Sequence, residues 1–257
     1  MDSSYLTQLF GLEGRVAIVT GASRGLGRSM ALALARAGAR LCLVGRQANL
    51  DETQAELSEQ GCDSIAVVCP LDDPDSAEAI TQACLERWGQ IDILVNNAGT
   101  FLRKPAAEWT IDEWDQVLAV NLRFVFSLCL AAGRTMLERG SGKIINIASV
   151  LGFQGGLTVP AYSASRHGVL GLTKALANEW AAQGVNVNAI APGYMDTAQN
   201  ERLFSDPVRS RELMARIPAK RWGTADEIDG ACLFLASQAS NYMHGQVVIV
   251  DGGWLTR

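Results

Sequence analysis

Tyr162 and Arg166 stand four residues apart in the segment Tyr-Ser-Ala-Ser-Arg, a spacing that puts two side chains on one face of a helix. A phenol becomes a useful acid or base near neutrality only when something stabilises its anion by about 4 kcal/mol, and neighbouring positive charge is the available source. The pair marks Tyr162 as a candidate proton donor or acceptor and Arg166 as its fixed cation. A second chemistry is written in Thr20-Gly-Ala-Ser-Arg-Gly-Leu-Gly27, which leads into an alanine-rich helical pattern. Gly21, Gly25 and Gly27 let the backbone approach a diphosphate, whose charge meets free N–H groups at the helix start. Ser23, Arg24 and Leu26 complete that loop. The stretch Gly21 to Gly25 also spells the Gly-x-Ser-x-Gly elbow of hydrolases. Only one short segment precedes it, leaving no source of oxyanion donors, so Ser23 is expected to bond a phosphate or the loop.

Cofactor choice should be visible at the end of the second strand, where an acidic side chain would bind a ribose 2′-hydroxyl and repel a 2′-phosphate. Gly45 and Arg46 stand there instead. With Arg24 as a second cation, charge-assisted hydrogen bonds of about 1.5–3 kcal/mol each would favour NADP(H) by about tenfold or more. The alternative is two solvated arginines.

These residues need a scaffold. Apolar runs predict strands at Arg15–Thr20, Arg40–Val44, Ser64–Val68, Asp92–Val95, Lys143–Ala148, Asn186–Ala191 and Val247–Val250. Helical patterns fall between them at Gly25–Ala37, Asp51–Gln60, Asp75–Trp88 and onward from Thr110. The rhythm predicts an α/β fold, a single Rossmann-type doubly wound parallel sheet with helices on both faces, because right-handed crossovers leave few other topologies. Thr110-Ile-Asp-Glu113 and Thr224-Ala-Asp-Glu227 have the spacing of capping boxes and should start helices. No repeat or linker divides residues 1–257, so one dinucleotide-binding domain is expected.

Composition narrows the function classes. The 257 residues are 48% hydrophobic and carry a net charge of −5, without a basic tail, which argues against nucleic acid and for a small-molecule substrate. No apolar segment follows a positive start, so a cytoplasmic protein is expected. The uncharged stretch Ile144 to Ser165 is broken by Gly152, Gly155, Gly156 and Pro160 and reads as buried strand, loop and helix start rather than a membrane span. Six scattered cysteines read as reduced core thiols, and two histidines leave no ligand set for a metal.

Taken together, the glycine loop, Asn96-Asn-Ala-Gly99, Asn121, Ser149, Tyr162 with the cation at 166, and Pro192-Gly193 resemble the short-chain dehydrogenase/reductase family across essentially the whole chain. The resemblance implies an NAD(P)(H)-dependent oxidoreductase that moves hydride between nicotinamide C4 and a carbonyl or alcohol carbon. In that pattern Tyr162 transfers the proton, Ser149 orients the substrate oxygen and Asn121 holds a relay water. Arg166 stands where the family has a lysine that binds the nicotinamide ribose. Asn97, Ala98, Gly99 and Leu71 fall in the implied cofactor set with Pro192, Gly193, Met195 and Thr197, the last two beside the carboxamide. Two departures stand out: Arg166 is bulkier, planar and permanently charged, and Pro70 occupies the place of an aspartate that meets the adenine, with Asp72 and Asp73 close by.

The second half is similar to the sugar-acid dehydrogenases of the family, in segments such as Phe153-Gln-Gly-Gly156, Arg221-Trp-Gly223 and Val250-Asp-Gly-Gly-Trp-Leu255. Such enzymes usually favour NAD, so NAD(H) stays open beside NADP(H). A sugar-acid carboxylate calls for an arginine, and Arg103 is the candidate, with Gln154 and Tyr194 placed against hydroxyl groups. A substrate lid is expected at about residues 194–223, where six basic residues outnumber four acidic ones, a balance suited to an anion. His167 is expected at a helix interface. The alternatives are a 3-oxoacyl-thioester reductase and a nucleotide-binding protein whose catalysis Arg166 has weakened. A homotetramer is implied, assembled through the helices bearing Asn121 and Tyr162.

Overall fold

The computed structural model describes residues 3–45, 50–200, 203 and 205–257. A short helix α1 (Ser3–Phe10) precedes β1 (Val16–Thr20), α2 (Gly25–Arg36), β2 (Arg40–Gly45), α3 (Leu50–Glu59), β3 (Ser64–Val68), α4 (Ser76–Trp88) and β4 (Ile93–Asn96). The second half runs through α5 (Ile111–Leu118), α6 (Phe124–Arg139), β5 (Gly142–Ile147), α7 (Pro160–Trp180), β6 (Val185–Pro192), α8 (Pro207–Arg216), α9 (Asp229–Ala236) and β7 (Val247–Val250). The strands form one sheet in the order β3-β2-β1-β4-β5-β6-β7, and each neighbouring pair is parallel, as Val16 against Arg40 and Ile93 against Lys143 illustrate. The doubly wound sheet predicted from the βαβ rhythm is what forms.

Burial on both faces explains why the central strands read as unbroken apolar runs. Ile18, Val44, Leu94, Ile144 and Val187 face α4, α6 and α7, whereas Val19, Leu43, Val95, Ile145 and Ile190 face α2, α3 and α9. A third, smaller cluster comprises Val150, Leu203, Leu213, Ile217 and Trp254. The six cysteines are free thiols and four are buried, with Cys62 and Cys69 half-buried; burial pushes the Cys129 thiol up to about 12. Within the first face Asn96 and Asn146 are paired in register and hydrogen-bonded at 2.9 Å, and Asn146 donates on to Thr173 of α7 at 3.0 Å.

Three local details differ from the sequence expectation. Asp92 lies just before β4, where its carboxylate accepts from the Val16 N–H at 2.8 Å and from Arg15 and Arg139 at 3.1 and 2.9 Å. The Thr110 box forms with both bonds, but the box at Thr224 starts a 3₁₀ turn, Ala225–Ile228, before α9 begins. Between α5 and α6 the helix widens into a π segment, Ala119–Arg123. The continuous helix Ile111–Arg139 is long and apolar enough to cross a membrane by length and composition, yet 56% of its most apolar window is buried inside the fold.

Candidate functional site

The site lies at the carboxyl ends of the strands, where a doubly wound sheet binds its ligands. Gly27 permits the closest backbone approach there: a Cβ would run into the Gly21 carbonyl and the Asn97 amide. Asn97 donates to the Thr20 carbonyl at 2.8 Å, and the Thr20 hydroxyl accepts from the Asn97 and Ala98 N–H groups at 3.0 and 2.9 Å. These bonds lace the ends of β1 and β4 together and leave the first turn of α2 facing the crevice, a ready site for a diphosphate. Arg24, at the N-cap of α2, is exposed and its side chain caps nothing. Ser23 is half-buried in the loop. Arg46 lies outside the described residues. Leu71 packs its side chain into the core with Ile18 and Val44, while the Pro70 carbonyl accepts the Ser76 hydroxyl at 2.6 Å and Asp73 accepts the Asp75 N–H at 2.9 Å.

Ser149 follows β5 in extended backbone, and its Oγ accepts the Leu151 N–H at 3.1 Å. The hydroxyl proton therefore remains available for donation. Proline at the first helical position starts α7, which carries Tyr162 and Arg166 inward. Arg166 is 4% exposed. Its Nη1 donates to the Ile147 carbonyl at 3.0 Å, and its guanidinium carbon stands 4.9 Å from the centroid of the Tyr162 ring. The cation thus covers the ring face, a contact worth about 0.5–2 kcal/mol, while Phe101 meets the ring edge-on at 6.3 Å. Gly99 makes room for it, since a Cβ there would strike Nη2. Arg166 Nε is buried without a partner, and an orphaned buried N–H costs about 1–3 kcal/mol, more on a charged group. A ribose hydroxyl would satisfy it, so the residues present fit a dinucleotide.

Asn121 sits in the π segment, fully buried. Its Oδ1 accepts the Thr100 N–H at 2.8 Å and its Nδ2 donates to the Thr100 carbonyl at 2.7 Å. The amide is committed to positioning the loop after β4. The widening itself was not legible in the residue types.

Above Ser149 and Tyr162 opens a cleft continuous with solvent. Phe101 and Arg103 form one wall, and Gly156, Leu157 and Val159 a second. Tyr194, Met195, Thr197, Asn200, Leu203, Arg209 and Leu213 supply the third, with Pro192 and Gly193 at its base. Gln154 does not line the cleft, contrary to its expected role against substrate hydroxyls. The Gly156 N–H donates to Ser163 Oγ at 3.1 Å and the Lys104 N–H to the Thr158 carbonyl at 2.8 Å. Those bonds anchor the loop on either side of Leu157, which lines the cleft. Thr158 adopts φ 63° to make its bond, and Lys104 is further paired with Glu113 at 2.8 Å.

Tyr194 packs on Trp222 and Trp254, with ring centroids 5.6 and 4.7 Å away. Burial pushes its phenol up, and the positive charges of Arg209, Arg103 and Arg216 pull the other way. Desolvation lowers Arg103, and the nearby Arg209 adds to the effect. Arg209, Asn200, Leu203 and Leu213 escaped the sequence reading. The available signal was Asp206-Pro207, a helix start that puts Arg209 and Leu213 on one face. Neither histidine lines the cleft: His167 is exposed rather than at a helix interface, with Nδ1 2.9 Å from the Ser163 carbonyl, and His244 lies beside Asn186 at 3.3 Å.

The family model described as enoyl-(acyl carrier protein) reductase matches residues 21–255. The chain is 49% identical over 255 residues to 2-dehydro-3-deoxy-D-gluconate 5-dehydrogenase of Bacillus subtilis, covering 98% of this chain and 99% of the relative. It is 45% identical over 249 residues to the Escherichia coli protein of the same name, covering 96% and 98%. Among solved structures, a gluconate 5-dehydrogenase from Burkholderia cenocepacia in complex with NADP and tartrate matches with a TM-score of 0.92 at 39% identity, covering 98% of this chain and 99% of that one.

Proposed function

The chain belongs to the short-chain dehydrogenase/reductase family, and on that premise we propose that it interconverts a hydroxyl and a carbonyl on a keto or deoxy sugar acid. The observation that carries this reading is that one cleft holds Ser149 and Tyr162 at its floor, Arg166 beneath them and Arg103 on a wall. A nicotinamide dinucleotide, when bound, supplies or accepts the hydride. The chain's own residues do the rest. Ser149, whose oxygen is already taken by the Leu151 N–H, turns its proton toward the substrate oxygen. Tyr162 gives or takes the proton at that same oxygen. Arg166, pinned to the Ile147 carbonyl, supplies standing positive charge and ribose contacts but passes on no proton, because a guanidinium keeps its own.

For the cofactor we favour NADP(H). Arg24 is exposed at the start of α2 with no capping duty, Gly45 ends β2 without an acidic side chain, and the Burkholderia cenocepacia relative is described with NADP. NAD(H) is the alternative. The assembly we favour is a homotetramer, supported by an apolar groove of Leu118, Leu122, Phe126 and Leu172 between the helices that carry Asn121 and Tyr162. A 3-oxoacyl-thioester reductase would need an open apolar channel, and Arg103 and Arg209 stand in the cleft instead.

The test is nucleotide absorbance followed with NADPH and NADH against a panel of keto sugar acids and an acetoacetyl thioester. Turnover of a sugar acid, faster with NADPH, is expected, with Tyr162→Phe slowing it by about 10²- to 10⁴-fold. Turnover of the thioester alone would replace the reading with its runner-up. No turnover of anything, by either the natural chain or Arg166→Lys, would leave a nucleotide-binding protein.

A further inference from the structure

Besides Arg166 at the floor, two guanidinium groups enter the cleft from distant parts of the chain. Arg103 comes from the loop after β4, and Arg209 from the first turn of α8. The lid's own packing sets the direction of Arg209. Asp206 caps α8, accepting from the Val208 and Arg209 N–H groups at 3.0 Å each. One turn on, Leu213 is 3% exposed, lines the same cleft and packs with Val150, Ile217 and Trp254. Residues four apart share a helix face, so burying Leu213 turns Arg209 toward the cleft.

The charges of this pair are unbalanced. Among the described residues Arg103 has no carboxylate partner and stacks over Phe101 at 5.8 Å. Arg209 meets Glu212 at 3.0 Å, but that side chain is 59% exposed and does not line the cleft, whereas Arg209 is 33% exposed. Two cations sharing a partly dry cavity repel each other, and an anion between them removes the repulsion while forming charge-assisted hydrogen bonds with both. A neutral sugar could do neither.

Resting on the sugar-acid reading above, we propose that Arg209 is a second anchor for the substrate carboxylate, holding it from the lid while Arg103 holds it from the opposite wall. The cleft thereby selects a chain ending in a carboxylate over a neutral polyol of the same length. Glu212 keeps the Arg209 side chain parked when the cleft is empty, and a substrate carboxylate competes with it.

Two readouts test this. Trp222 and Trp254 pack on Tyr194 in the cleft wall, so tryptophan fluorescence can report D-gluconate binding without turnover, with the hexitol of the same length as the neutral control. Steady-state kinetics on the best keto sugar acid supply the second. Arg209→Gln should raise both the gluconate Kd and the substrate KM about 10- to 100-fold, the loss of one charge-assisted bond, with kcat changed less than about twofold and weak hexitol binding unaltered. Arg209→Lys should recover part of the loss, keeping charge without the planar fork. Glu212→Gln should leave binding unchanged or tighter. The proposal is overturned if Arg209→Gln leaves gluconate Kd and KM unchanged. It is equally overturned if Glu212→Gln reproduces the Arg209→Gln loss, which would make Arg209 a brace for α8, or if the natural chain binds no carboxylate. Failure of the sugar-acid reading looks different: gluconate binds through both arginines, but no sugar acid turns over.

Discussion

Arg166 is 4% exposed and stands beside the proposed proton donor Tyr162. Its guanidinium lies over the Tyr162 ring, tied to the Ile147 carbonyl, with Gly99 leaving space for its second nitrogen. Arg166→Lys keeps the charge and frees space, so kcat should stay within about tenfold of the natural chain. Arg166→Met removes the charge and should lower kcat by about 10²- to 10³-fold, the usual cost of one electrostatic stabiliser; nucleotide Kd, measured by calorimetry, should rise in the same variant. Helical spacing made the Tyr162–Arg166 partnership legible in the sequence. It could not say that the cation would cover the ring face, because i, i+4 spacing fixes a shared face and leaves the several torsions of a long side chain undetermined. Arg209 was hidden for a related reason: its role depends on Leu213 being buried, a tertiary fact about a segment whose sequence reads only as charged.

At the scale of elements, the strands were legible because both faces of a parallel sheet are buried, which writes each one as an apolar run. The π widening was not, since no residue type encodes an extra residue in one turn. It brings Asn121 onto Thr100 and so sets the start of the wall that carries Arg103. The amino-terminal ends of the central strands hold stability. Asp92 is 4% exposed and takes the Val16 N–H together with Arg15 and Arg139, so Asp92→Ala should cost about 2–4 kcal/mol in urea unfolding and leave kcat untouched. Lys143 gives a pH signature. Burial pushes its amine down from 10.5 to about 8. Below pH 8 both folded and unfolded chains hold the proton and the full cost of burying the charge is felt. Between pH 8 and 10.5 the unfolded chain still binds a proton that the folded chain has released, so this group's contribution to stability rises with pH. Relative to the natural chain, Lys143→Met should lack that rise when Tm is compared at pH 7.5 and pH 10.

For the molecule as a whole, the doubly wound topology followed from alternation alone, whereas the three core clusters emerge only when the chain is closed. The third cluster gives Leu203, Leu213 and Ile217 a packing site of their own against Val150 and Trp254. Phe126 is 42% exposed on the groove between the α5–α6 helix and α7. If that face joins subunits, Phe126→Asp should halve or quarter the mass measured by light scattering, with the far-ultraviolet spectrum of the natural chain retained. An unchanged mass would remove this face from the assembly.

The bond from the Lys104 N–H to the Thr158 carbonyl joins two walls of the cleft, and the Lys104–Glu113 pair fastens both to the capped start of α5. Two of the three walls are therefore braced against each other, whereas the third is supplied by a separate segment beginning at Tyr194. Substrate preference in such a molecule can drift by exchange of that segment alone, with the proton-transfer floor carried over intact. A laboratory graft of the same segment between relatives should move preference in the same way.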